Sequence, residues 1–210
     1  MTEADSTGQF LANDLFFVMH DDRTGRIRLH PRLIGLGLAA AILSELMLAG
    51  RITVEKAAGD VRLGLVDTTP TGDALTQTAL DHIVAEPVHP FRTWLHFLAR
   101  TARADVAGRM TDAGLLRPPT MRARRHVPVD PDTAILPVAR LNLSIQRREP
   151  FVTASGVLLG LVIATGAASL VLLDPDPEYM GDAVASLPAP FKELIAQTEA
   201  AVGAAVLSRS

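Results

Sequence analysis

Arginine is the residue type in this chain whose number and spacing offer chemistry. Arg92, Arg100, Arg103, Arg109, Arg117, Arg122, Arg124 and Arg125 fall in one stretch of a chain whose formal net charge is −3. A guanidinium presents its N–H donors in a planar fork that matches phosphate and carboxylate oxygens. Neighbouring forks can therefore grip an anion through paired, charge-assisted hydrogen bonds. Arg100 and Arg103 are three residues apart, and on a continuous helix that spacing puts both on one face. The competing reading is a solvated helix face and a hairpin whose arginines pair with Asp105, Asp112 or Glu55. The spacing alone leaves both open.

Residues for covalent or acid–base chemistry do not assemble. There is no Gly-x-Ser-x-Gly elbow, no phosphate-cradling P-loop and no His-Glu-x-x-His pair. His82, His89 and His96 recur every seven residues, but Pro87 and Pro90 break the helix that would align them, so they read as surface or partly buried histidines and not as a metal site. Gly35-Leu36-Gly37 followed by Ala40 has the letters of a dinucleotide loop without the strand that must precede it, and reads as close helix packing. Asp130, Asp132, Asp174 and Asp176 adjoin prolines and read as turn formers. The absence of cysteine excludes disulfides and thiolate chemistry. The expectation is a binding protein, without catalysis, cofactor or metal.

The elements that must position the arginines are mostly helical. Apolar residues make up 48% and aromatics only 4%, so alanine and leucine carry the core and helix is favoured over sheet. Residues 1–9 are polar and read as a flexible N-terminus in which Ser6 to Gln9 has capping-box spacing. An amphipathic helix follows from Phe10, then a polar turn over 20–25. Arg32 to Ala49 is apolar on nearly every face and reads as a central buried helix stopped by Gly50. Arg51 to Glu55 and Val61 to Val66 alternate as a hairpin. Further helices are expected from Thr71-Gly72-Asp73 to Val84, over 91–98 and over 100–112, with Gly114 leading into an arginine-rich hairpin over 115–129.

Pro128, Pro131 and Pro137 mark a loop, and Leu141 to Arg148 reads equally as a short strand or a helix start. Phe151 to Leu173 carries no charge and is long enough to cross a bilayer. Gly156, Gly160 and Gly166 interrupt it, so it reads as a buried helical hairpin. Asp174-Pro175-Asp176-Pro177 breaks the chain before a last helix over 189–207. The fold class is mainly α: one globular domain over 10–207, with a buried central helix bundle wrapped by amphipathic helices and small β-hairpins. Helix, glycine, hairpin occurs twice, at Gly50 and Gly114, and that echo keeps a winged-helix DNA-binding regulator using residues 115–129 as an alternative.

The order of motifs resembles one known family. Leu11 to Met19 followed by Asp21-Asp22-Arg23-Thr24-Gly25-Arg26, the helix ending Leu43-Ser44-Glu45-Leu46 and exiting through Gly50-Arg51-Ile52, Pro70-Thr71-Gly72-Asp73-Ala74-Leu75, the stretch from Arg100 to Leu116, and the apolar hairpin at 154–173 are similar, in register, to the Golgi phosphoprotein 3 family, which has bacterial members. The alanine- and arginine-rich composition suits a bacterial one.

The resemblance implies a mostly helical fold and a peripheral protein that binds phosphatidylinositol 4-phosphate or another anionic headgroup without catalysis. In eukaryotic members the headgroup pocket uses a tryptophan, an arginine early in the central helix and two arginines three apart on a later helix. The paired arginines fall on Arg100 and Arg103, the tryptophan on His30, and the earlier arginine on Ala39. Arg100, Arg103 and His30 are therefore the headgroup-binding candidates. The hairpin that mediates oligomerisation in those members is shortened here, around Leu141 to Glu149, which leaves the oligomeric state open. Expected partners are a phosphorylated lipid headgroup or other anion, with peripheral membrane contact. A protein-interaction adaptor with a vestigial pocket is a further alternative, and the net negative charge disfavours nucleic acid. The expected location is cytoplasmic, at or near the inner membrane face.

Overall fold

The helix α2 (Pro31–Leu48) is the axis around which the other elements pack. A computed structural model of the chain describes residues 10–57, 59–118 and 125–208. His30 caps α2, its Nδ1 accepting the Arg32 N–H at 3.2 Å, and Pro31 occupies the first turn, where a missing N–H costs nothing. From Ile34 to Leu46 almost every side chain is buried, as its uniformly apolar sequence requires. The helix stops where Gly50 takes φ +67°. There the Gly50 N–H reaches Met47 O and the Arg51 N–H reaches Leu46 O, the Schellman pattern that only a residue comfortable at positive φ closes cheaply.

Among the described residues, six helices and one strand pack on that axis. They are α1 (Leu11–Met19), α3 (Ala74–Ala85), α4 (Phe91–Ala99), α5 (Ala102–Asp112), α7 (Thr153–Ala164) and the last helix, α10 (Ala189–Leu207), with β1 (Ile52–Ala57). The strand β1 pairs antiparallel with β2 (Asp60–Leu65) in the register Ile52 opposite Leu65, with Ala57 opposite Asp60. Close approach depends on small residues. A Cβ on Gly35 would lie 2.6 Å from the Ala99 carbonyl oxygen of α4, and one on Gly37 would lie 2.7 Å from Met19 Cε. The Gly35-x-Gly37 pair is thus a helix-packing feature. The core is continuous, with Phe16, Phe91, Leu15, Ile34, Leu38 and Ile42 fully buried, each contributing about 1.5–3 kcal/mol of transfer free energy.

The chain is a single compact domain, mainly α, with the small antiparallel sheet expected from its alternating segment. The hairpin at 115–129 is realised at its base, where Leu116 bridges Pro128 and the Arg117 N–H donates to Val127 O. It leaves α5 through the same device as α2, with Gly114 at φ +72° and the Leu115 N–H on Met110 O, which accounts for the repeated helix–glycine–hairpin pattern.

Several expectations need correction. The loop marked by Pro128, Pro131 and Pro137 gives way to α6 (Pro131–Arg147): Asp130 caps it through the N–H groups of Asp132 and Thr133, Pro131 sits in its first turn, and Pro137 is carried inside it. Burial of Ala134, Leu141 and Ile145 along one face outweighs the one backbone bond a proline forfeits. The shortened hairpin around Leu141 to Glu149 is likewise absent, because those residues complete α6 up to Arg148 at φ +51°. The hairpin over 151–173 is lopsided, since α7 ends before Gly166 and α8 (Ala168–Val171) is a single turn. Among the described residues the helix long and apolar enough to cross a membrane is instead α2, with 78% of that window buried inside the fold. Asp176 also caps α9 (Pro177–Ala185), a helix beyond the proline break. The Ser6–Gln9 capping box lies outside the described residues, and α1 begins from Phe10 without a side-chain cap.

Candidate anion-binding site

The helix expected over 100–112 begins only at Ala102. At the end of α4 the N–H groups of Arg100 and Thr101 turn to Phe97 O and Leu98 O, three residues back, and α5 starts afresh after Thr101. This break separates the two candidate arginines. Arg100 is exposed and lines a groove between α3 and the α4–α5 junction, with Leu75, Thr78, His82, Phe97 and Asp105. Arg103 is half-buried and lines a different, open depression of about 520 Å³ with Gly25, Arg26, Ile27 and Arg125. His30 is an exposed helix cap and lines neither, while Ala39 is buried within the core.

Three separate segments build the Arg103 depression. The turn after α1 is closed by Asp21, whose carboxylate accepts the Thr24 N–H at 2.8 Å and the Thr24 hydroxyl at 2.7 Å. These hydrogen bonds hold the Asp21 carboxyl below its usual pKa. Gly25 follows at φ +62°, and a Cβ there would lie 2.2 Å from the His126 carbonyl oxygen. Only glycine lets this turn lie against the second arm of the 115–129 hairpin, and that contact brings Arg26 to Arg125. The first turn of α5 supplies Arg103.

Among the described residues, the lining therefore carries three guanidinium groups and no carboxylate. The nearby acids are engaged elsewhere, with the Arg28 Nη2 3.6 Å from Asp22 and 3.9 Å from Asp21, while its Nε donates to His20 O.

Two histidines stand behind the arginines. His20, at the end of α1, is 2% exposed, stacks on Phe16 with ring centroids 3.9 Å apart, and places Nδ1 2.7 Å from Phe16 O. A carbonyl only accepts, so Nδ1 carries the proton and Nε2 holds a lone pair. Burial lowers the His20 pKa to about 4, against the pull of the Phe16 hydrogen bond, and the charges of Arg103, His126 and Arg28 lower it further. His126 is edge-on to the same Phe16 ring, and burial followed by the Arg103 charge lowers its pKa too. Arg103 Nε, His20 Nε2 and His126 Nδ1 are all buried without a hydrogen-bond partner among the described residues.

The other arginines divide by environment. Arg92 donates to Gln197 on α10, and Arg122 and Arg124 lie outside the described residues. Arg109 is the member with a role that spacing did not reveal. Its forked donors hold Glu45 at 2.8 and 3.0 Å, Asn13 at 2.8 and 3.1 Å and Asp73 at 3.2 Å, beneath the Phe10 ring. Burial pushes the Glu45 carboxyl above its ordinary pKa, while the Arg109 fork and the Ala12 N–H oppose that rise. This cluster joins α1, α2, α5 and the cap of α3, and is structural. The pairing of the arginines with Asp105, Asp112 or Glu55 is not formed among the described residues.

Residues 11–207 match the family model described as Golgi phosphoprotein 3 (GPP34). No curated protein matches the chain.

Proposed function

The chain belongs to the Golgi phosphoprotein 3 family, and from that premise we propose that it is a non-catalytic protein that binds a phosphorylated lipid headgroup in the Arg103 depression. The observation that carries this reading is the convergence of Arg26, Arg103 and Arg125 on one open depression that is lined by no carboxylate among the described residues. Planar donors of this kind suit phosphate oxygens, and an open mouth suits a headgroup that projects from a membrane surface. Exposed Ile27 at the rim adds an apolar contact beside the charges. The expected headgroup is that of phosphatidylinositol 4-phosphate, and the expected place of action is the cytoplasmic face of a membrane. Arg100 and His30 are assigned no direct contact in this reading.

Co-sedimentation with phosphatidylcholine vesicles, with and without phosphatidylinositol 4-phosphate, tests it. Arg103→Ala removes charge-assisted hydrogen bonds of about 1.5–3 kcal/mol, so affinity should fall about ten- to a hundredfold. Arg100→Ala should leave it within about twofold, as expected of a side chain outside the depression. Weak binding that ignores both the lipid and Arg103→Ala would sink the reading. Salt-sensitive binding to duplex DNA in place of vesicles would shift it to nucleic acid.

A further inference from the structure

We propose that the anion site is proton-linked, with His20 taking up a proton when an anion occupies the depression, so that binding tightens on acidification. This rests on the anion-site reading above and adds its regulation. The geometry begins with the tautomer. Phe16 O fixes the His20 Nδ1 proton, so the only position left to gain one is Nε2, which is buried and has no partner among the described residues. The His20 backbone bridges Ile27 in the lining of the depression, and His126, whose carbonyl packs on Gly25 of that lining, meets the same Phe16 ring as His20.

The charges around His20 come from each segment packed on it. Arg103 belongs to α5, His126 lies on the second arm of the 115–129 hairpin, and Arg28 comes from the stretch leading into α2, its charge partly met by Asp21 and Asp22 in the turn. Burial first, and then the positive surplus present without an anion, keep Nε2 bare. A phosphate or sulfate group among Arg26, Arg103 and Arg125 offsets that surplus, the smaller cause beside burial, and so makes protonation of His20 less costly than in the free protein. By reciprocity, a proton on His20 raises affinity for the anion. His126, whose ring faces the same Arg103 charge, is placed to contribute a second proton.

The sign follows directly. If the anion raises the His20 pKa from its free value near 4, affinity climbs as pH falls through the bound-state pKa and levels off below the free value. The limit is about tenfold per pH unit for each proton taken up. Acidification, as at a compartment or membrane surface of low pH, would then strengthen attachment.

The probe should not titrate in this range, and a fully sulfated inositol meets that need. Calorimetry of the whole chain in two buffers of different ionisation enthalpy reads proton uptake directly. Wild-type protein is expected to bind with uptake that rises from pH 7 toward pH 5, and His20→Gln, which keeps a donor for Phe16 O, to bind with reduced uptake. NMR of the His20 ring, which needs no variant, should show its titration moving upward when the sulfated inositol is added. Binding with no uptake and an unmoved His20 titration overturns the proton link while leaving the anion site standing. Absence of binding at every pH overturns both.

Discussion

Gly25 governs where the Arg26 guanidinium can stand. Its φ of +62° lies in the region closed to most side chains, and the His126 carbonyl leaves no space for a Cβ. Gly25→Ala should therefore cost about 1–3 kcal/mol and move Arg26 away from Arg125. Urea denaturation would read the first effect and vesicle co-sedimentation the second, with loss of stability alone showing that the turn does not position the arginine. Among the arginines, identical chemistry serves different ends according to burial. Arg103 is half-buried and lines an open depression, whereas Arg109 spends its donors on Glu45, Asn13 and Asp73.

At the scale of elements, that Arg109 cluster is what ties α1, α2, α3 and α5 into one body. Its side chain is only 9% exposed and that of Glu45 8%, so removing one partner strands the other charge out of water. Arg109→Ala should lower stability by about 3–5 kcal/mol. A thermal melt would register this as a fall of several degrees, and an unchanged midpoint would show that the cluster contributes little. The α4–α5 break works at the same scale. Two i−3 hydrogen bonds at Arg100 and Thr101 suffice to send Arg100 and Arg103 to different surfaces. Nothing in the local sequence announces this, since Ala99 through Arg103 contains neither glycine nor proline. Pro137 misleads in the opposite direction: it looks like a helix breaker but sits inside α6, because buried Leu141 and Ile145 hold the helix together.

For the whole molecule, the buried neutral His20 makes stability depend on pH. Its folded pKa is about 4 against 6.5 for an unburied ring, so the unfolded chain binds the extra proton first as pH falls. Stability from this group is fully present above pH 6.5 and is lost between 6.5 and 4, roughly 3 kcal/mol in all. Urea midpoints measured across that interval should fall in the wild type and flatten in His20→Leu, and parallel curves would exclude His20 as the source.

The sequence by itself determined whatever depends on local chemistry. Asp73 caps a helix through the N–H three residues on, Gly50 and Gly114 close helices at positive φ, and alternation sets the β1–β2 register, because each device is complete within a few residues. The family was legible for the same reason, through short motifs kept in order over residues 11–207. Tertiary structure alone decided which arginines meet. Arg26, Arg103 and Arg125 come from segments far apart in the chain, and only the packing of the Gly25 turn on His126 gathers them. Whether a guanidinium ends at an open surface or inside an ion-pair cluster depends on long-range burial, which residue type and spacing do not encode.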